Sequence, residues 1–222
     1  MWRHSHGSPL GDLQAHRDRA GHRLHRWRRW VPFTSNVRHQ PMRHLVLLGD
    51  SIFDNAAYTS GGPDVVSQVR KILPTGWTAS LLAIDGSRTG DVAEQVDRLP
   101  ASATDLVLSV GGNNVLMEAS VLDTSSSSAA QAVGLLGQVA LEFEKSYRSA
   151  VAACLRPGLP LTVCTIYNGC FSDPQYQRIG STALTVFNDA ILRVAIEHCL
   201  SVIDLRAVCA NPEDYATISA VH

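Results

Sequence analysis

No stretch of this chain reaches the roughly 18 consecutive apolar residues that a bilayer-spanning helix needs. Nor does a charged start lead into an apolar segment and a small-residue cleavage site near the N-terminus. We therefore expect no integral membrane segment and no secretion signal. The five cysteines, Cys154, Cys164, Cys170, Cys199 and Cys209, are odd in number and lack CxxC spacing, which argues against a disulfide framework. Set mostly in apolar surroundings, they read as small buried hydrophobes in a reducing, cytoplasmic compartment. Neither a Gly-x-Gly-x-x-Gly nor a P-loop pattern follows the first apolar run, so a nucleotide site is disfavoured. There is no internal repeat, and low complexity is confined to "DTSSSSAAQ" (123 to 131), read as a loop.

What is present divides sharply in charge. Nine of the 19 Lys and Arg lie within residues 1 to 43, against only Asp12 and Asp18, leaving an acidic body with 10 bases and 18 acids. Residues 1 to 41 also hold six of the nine histidines and no sustained apolar period. Such a stretch buries too little surface to offset the entropy of ordering, and we read it as a disordered basic extension. A start of translation at Met42, leading directly into the first strand, is the sharper form of that reading. A nucleic-acid-binding arm, a transit peptide and a histidine metal site are weaker: the stretch is not Ser-rich and no ligand spacing repeats. The remaining 42 to 222 suffice for one domain with one sizeable core.

From residue 44 two periods alternate. Continuous apolar runs at 44–49, 79–84, 105–110, 161–167 and 200–205 suit strands buried on both faces. Helical patterns separate them at 63–73, 90–99, 133–156 and 179–199; in the second, Val92, Val96 and Leu99 share a face. Strict alternation predicts right-handed crossovers and a parallel sheet covered on both sides, a doubly wound α/β sandwich of about five strands.

In that architecture chemistry gathers at the carboxyl ends of the strands. Gly49-Asp50-Ser51 follows the first run, "DGSRTGD" with Gly86 and Gly90 the second, and Gly111-Gly112-Asn113-Asn114 the third. Gly-Asp-Ser alone is an ordinary turn with a helix cap; the convergence of three such loops on one sheet edge is what singles it out. A serine at the start of a helix is easily approached, and free amides of the first turn can stabilise negative charge. Asp50 and Asp54 are expected to hydrogen-bond loop backbone.

"GDSIFDN", "DGSRTGD" and "GGNN", in this order and at these positions, resemble the first three sequence blocks of the SGNH hydrolases, the GDSL-type esterases and lipases. The similarity runs from residue 44 to about 210. It implies a flavodoxin-like three-layer α/β/α sandwich, a nucleophile at Ser51, and an oxyanion hole formed by the Ser51 amide, a second-block glycine and Asn113. Gly90 is the preferred glycine, because it precedes Asp91 and the next helix; Gly86 is the fallback. Asn114 departs from the usual aspartate of the third block, which should weaken a loop contact and leave the oxyanion donor intact.

The family's general base comes from an Asp-x-x-His element after the fifth strand. Here "DLRAVCANPEDYATISAVH" ends at His222, and Ser219 stands where the aspartate would be. Three accounts fit: His222 is the base, held by a more distant acid such as Asp214; the last helix and the true element are missing from this chain; or the histidine has been dispensed with, leaving a weak hydrolase or a non-catalytic binder. His198 reads only as helix-end stabilisation. The resulting expectation is a serine esterase or lipase acting on a small-molecule carboxylic ester through an acyl-serine, without metal, organic cofactor or nucleic acid. The alternative is a catalytically impaired binding protein on the same scaffold. The loop 116–130 and "YNGCFSDPQYQR" (167–178) should wall the acyl pocket, with Tyr167, Phe171 and Tyr176 as candidate lining.

Overall fold

The computed structural model describes residues 42–215; the extension expected over 1–41, and His222, lie outside the described residues. Five strands, β1 (Arg43–Gly49), β2 (Trp77–Leu81), β3 (Asp105–Ser109), β4 (Leu161–Cys164) and β5 (Ser201–Ile203), form one sheet in the order β2-β1-β3-β4-β5. Every pairing is parallel. Alternate strand residues enter two cores. Val46, Leu48, Leu106, Leu108 and Val163 pack under α2 (Val92–Asp97), α4 (Ala129–Leu155) and α5 (Pro174–Glu197). Leu47, Ala79 and Cys164 meet Val66 of α1 (Val65–Ile72) and Leu205 of α6 (Leu205–Val208). This is the expected three-layer, flavodoxin-like sandwich. A sixth short helix, α3 (Gly112–Met117), carries Asn113 and Asn114.

Local chemistry sets the helix starts. Asp64 caps α1 by accepting from the Ser67 amide at 2.8 Å, so Pro63 stands just outside that helix. Ser128 caps α4 through the Gln131 amide at 3.1 Å. Asp173 caps α5 through the Gln175 amide at 2.8 Å, with Pro174 at its first position, where a missing N–H costs nothing. Both long helices therefore begin earlier than hydrophobic periodicity suggested, and the last five residues of the stretch 167–178 are helical.

Two expectations need correction. The run at 200–205 is not a strand buried on both faces: β5 is an edge strand, Val202 and Ile203 remain 38% and 39% exposed, and Asp204 leaves the strand to cap α6. Cys199 is exposed, because it occupies a left-handed turn (φ 53°) that reverses the chain between α5 and β5. Cys154 and Cys164 are buried as expected, and desolvation pushes both thiols up to about 12. Helix α5 is long and apolar enough to cross a membrane by length and composition, with a mean hydropathy of 1.3. Its buried residues, including Leu184, Phe187, Ile191 and Val194, pack in the core beneath the sheet, which accounts for its apolar character.

Two buried amides stand in for strand neighbours. Gln95 of α2 accepts from the Gly49 amide at 2.7 Å and donates to its carbonyl at 2.9 Å. Asn188 of α5 does the same at Ile166, at 2.8 and 2.9 Å. Each ties a helix to buried backbone groups at the carboxyl end of a strand, though the Gly49 carbonyl also accepts from the Ile84 amide at 3.1 Å.

Among the described residues, the same core holds one unsatisfied side-chain group. Tyr147 is 1% exposed, its ring lies 5.7 Å from that of Phe143, and its hydroxyl has no hydrogen-bond partner among the described residues. An unpaired buried hydroxyl costs about 1–3 kcal/mol. Tyr147→Phe should therefore raise stability by about 1 kcal/mol, read as a higher urea midpoint at unchanged slope. A loss of stability would show that the hydroxyl is satisfied in solution.

Candidate active site

Beyond β1 the chain makes a single hydrogen-bonded turn, with the Phe53 and Asp54 amides both donating to the Asp50 carbonyl at 3.1 Å. It does not continue as the helix expected there, because the next side chains are committed elsewhere. Asp54 accepts from the Asp85 amide at 2.9 Å, and Asn55 from the Val65 amide at 2.9 Å. Ser51 thus stands half-buried on an isolated turn, so any stabilisation of charge comes from local amides and not from a helix dipole. Among the described residues, the Ser51 and Gly86 amides have no acceptor.

The turn is aimed by Gly49. Its φ of +122° is open to glycine, and a Cβ there would lie 1.7 Å from the Ser109 carbonyl oxygen. Gln95, which holds Gly49, also donates to Ser87 Oγ at 3.2 Å, so one buried side chain connects the first and second loops. The third loop joins them. Asn113 donates to the Ser87 carbonyl at 2.9 Å, leaving the second hydrogen of its amide nitrogen available. Asn114 accepts from the Thr89 amide at 3.0 Å and donates to Thr89 Oγ1 at 3.1 Å. The departure at 114 therefore keeps a paired loop contact.

Ser51, Asp50, Gly112 and Asn113 line one cavity of about 120 Å³. Tyr167, Phe171 and Tyr176 line it too, as do Leu116, Glu118, Ala119, Val121 and Leu122. Gly86 and Gly90 are exposed and lie outside this lining; Gly90 sits in the 3-10 turn Thr89–Asp91. Asp214 accepts from the Ala210 and Asn211 amides at 3.0 and 2.8 Å, so its carboxylate is engaged locally. The two described histidines are elsewhere. His44 bridges Ser80 and Ser102 near the amino end of β1, and His198 caps α5. No cluster of three His, Cys, Asp or Glu suited to a metal occurs among the described residues. Gln95 was missed in the sequence although the signal was there: it falls on the core-facing stripe with Val92, Val96 and Leu99, where a polar residue needs a buried partner.

Asp50 is the most perturbed group of the site. Burial, at 5% exposure, pushes its carboxyl up to about 7, the negative charge of Asp85 adds to this, and the Ile52 and Gly111 amides oppose it. The folded protein then holds a proton that the unfolded chain releases near 3.8. Stability from this group is intact below that value, falls as pH rises towards 7, and is flat above. Asp50→Asn should remove this component. We expect the difference in melting temperature, variant minus parent, to increase between pH 4 and 7 and then level off; a constant difference would contradict the buried, protonated state.

No curated protein sequence matches this chain. Its fold is similar to that of an extracellular lipase from Streptomyces rimosus, at 15% identity over 76% of this chain and 82% of that one, with a TM-score of 0.56. Phospholipase A1 from Streptomyces albidoflavus is similar at 18% identity over 76% and 82%, with a TM-score of 0.55. AlinE4, an SGNH-hydrolase family esterase, is similar at 15% identity over 82% and 87%, with a TM-score of 0.57. At such identities these likenesses speak for the fold. The sequence itself matches the model of the GDSL-like lipase/acylhydrolase family over residues 47–222, and the chain belongs to that family.

Proposed function

We propose that the chain is a serine esterase that hydrolyses carboxylic esters through an acyl-Ser51 intermediate. The observation that carries this is the sharing of one largely apolar cavity by Ser51 and Asn113, beside a Ser51 amide that no described group occupies. Ser51 Oγ attacks the ester carbonyl as a base takes its proton. The carbonyl oxygen, now negative, is met by the Ser51 amide and the spare hydrogen of Asn113. Collapse expels the alcohol, which regains the proton, and water then attacks the acyl-serine to release the acid. For the third donor we favour Gly86 over Gly90: its amide has no acceptor among the described residues, and the next residue's carbonyl is held by Asn113. His222 is the base in this proposal, since neither described histidine lines the cavity.

The test is a fluorophosphonate probe together with a short-chain p-nitrophenyl ester, applied to the parent chain, Ser51→Ala and His222→Ala. Labelling and turnover lost in the first variant, with turnover greatly reduced in the second, support the reading. A parent chain inert to both reagents would favour the binding protein on the same scaffold.

A further inference from the structure

We infer that the cavity takes a straight aliphatic acyl chain longer than acetyl, and that Gly180 and Phe171 set the accepted length. This deepens the esterase proposal and rests on it for the chain's orientation, with the carbonyl at Ser51. Besides Ser51, the polar side chains of the lining are Asp50, Asn113, Thr165 and Tyr167, with Glu118 and Tyr176, which are exposed. Thr165 is already committed, donating to Asp204 at 2.8 Å and accepting from the Leu205 amide at 2.9 Å. The rest of the wall is hydrocarbon, and Ile166, Ala183, Leu184 and Phe187 within it are all buried. A hydroxylated acyl group placed there would give up hydrogen bonds to water without replacement, whereas each methylene would leave water at a gain.

The limit on length comes from one ring. Phe171 is held on several sides. It folds so tightly over Gly169 that a Cβ on that residue would lie 2.4 Å from the ring. Tyr176 meets it edge-on with centroids 4.8 Å apart, and Gln177 accepts from its amide at 2.8 Å. Gly180 faces the same ring from within α5 and lines the cavity. Glycine is unfavourable in a helix interior, and nothing in the backbone requires it at this position, since its φ is not left-handed and an added Cβ would stand 3.5 Å from the ring, an ordinary contact. Its absent side chain instead leaves room beside Phe171, which a leucine would fill.

The experiment separates binding from catalysis. Ser51→Ala protein is titrated calorimetrically with neutral methyl ketones carrying ethyl, butyl, hexyl, octyl and decyl tails, which imitate the ester carbonyl and are not hydrolysed. Affinity should rise about two- to fourfold per methylene until the tail reaches Phe171, then level off. Adding Gly180→Leu should weaken the longest bound tails at least tenfold while leaving the ethyl ketone within twofold. Phe171→Ala should carry the rise to longer tails. The retained affinity of Gly180→Leu for the ethyl ketone, together with a melting temperature close to the parent's, serves as the folding control. Affinity independent of tail length, or an equal loss across all ketones in Gly180→Leu, would overturn the inference. Turnover of p-nitrophenyl esters is read separately: length-dependent binding without turnover would sink the hydrolase proposal and keep the acyl site, and turnover without length dependence would do the reverse.

Discussion

Ser51→Ala is expected to lower ester turnover by about 10⁴-fold or more and to abolish fluorophosphonate labelling, with an unchanged melting temperature. The size follows from what the hydroxyl does. Without it no acyl-enzyme forms, and only binding and oxyanion stabilisation remain to assist direct attack by water. Stability should be spared because Ser51 is half-buried on a turn whose hydrogen bonds run between the Asp50 carbonyl and the Phe53 and Asp54 amides. Asn113→Ala makes the informative contrast. Loss of one oxyanion donor lowers turnover by about 10²- to 10³-fold, and labelling should slow without disappearing. Because Asn113 also donates to the Ser87 carbonyl, this variant should show a small drop in melting temperature as well. Turnover surviving in Ser51→Ala would remove Ser51 from the role of nucleophile.

Gly49→Ala is expected to have the largest effect on folding, above about 4 kcal/mol, a large share of the total stability of an ordinary domain. A Cβ at 49 would lie 1.7 Å from the Ser109 carbonyl oxygen, a backbone atom with no rotamer by which to withdraw. Gly49 is paired opposite Ser109 in the ladder between β1 and β3, and Gln95 grips both its amide and its carbonyl. Relief by parting the two strands would therefore break the clamp, and the positive φ adds strain of its own. The variant should be largely unfolded or insoluble, as read by far-ultraviolet circular dichroism and urea titration. Gly90→Ala is the matched control: its φ is ordinary and a Cβ there would meet nothing within 4 Å, so stability should stay within about 1 kcal/mol. A well-folded Gly49→Ala protein would mean that β1 and β3 can separate at their carboxyl ends without cost.

The legible part of this protein was its periodicity and its loop chemistry. Apolar runs separated by amphipathic stretches led to the five parallel strands and the principal helices, because burial on both faces leaves a residue pattern that needs no knowledge of neighbours. Gly-Asp-Ser, the second-block glycines and Gly-Gly-Asn-Asn led to one edge of the sheet for the same reason: parallel strands place all their carboxyl ends together. Strand ends were less legible. The run at 200–205 carries the apolar character of a central strand, yet β5 lies at the edge, since strand order depends on crossover connections that local sequence does not encode.

By itself, then, the sequence determined the layer architecture, the family and the loops that carry the candidate nucleophile and amide donor. Only the tertiary structure decided how those loops are held and what lies behind them. Gln95 bridging Gly49 and Ser87, Asn114 pairing with Thr89, and the Tyr147 hydroxyl without a partner among the described residues all depend on groups distant along the chain. The hydrocarbon wall behind Ser51 likewise draws on α3, the end of β4 and the first turns of α5. Hydrophobic period is a property of consecutive residues, whereas hydrogen-bond satisfaction and cavity shape arise only when elements distant in sequence are brought within a few ångströms of one another.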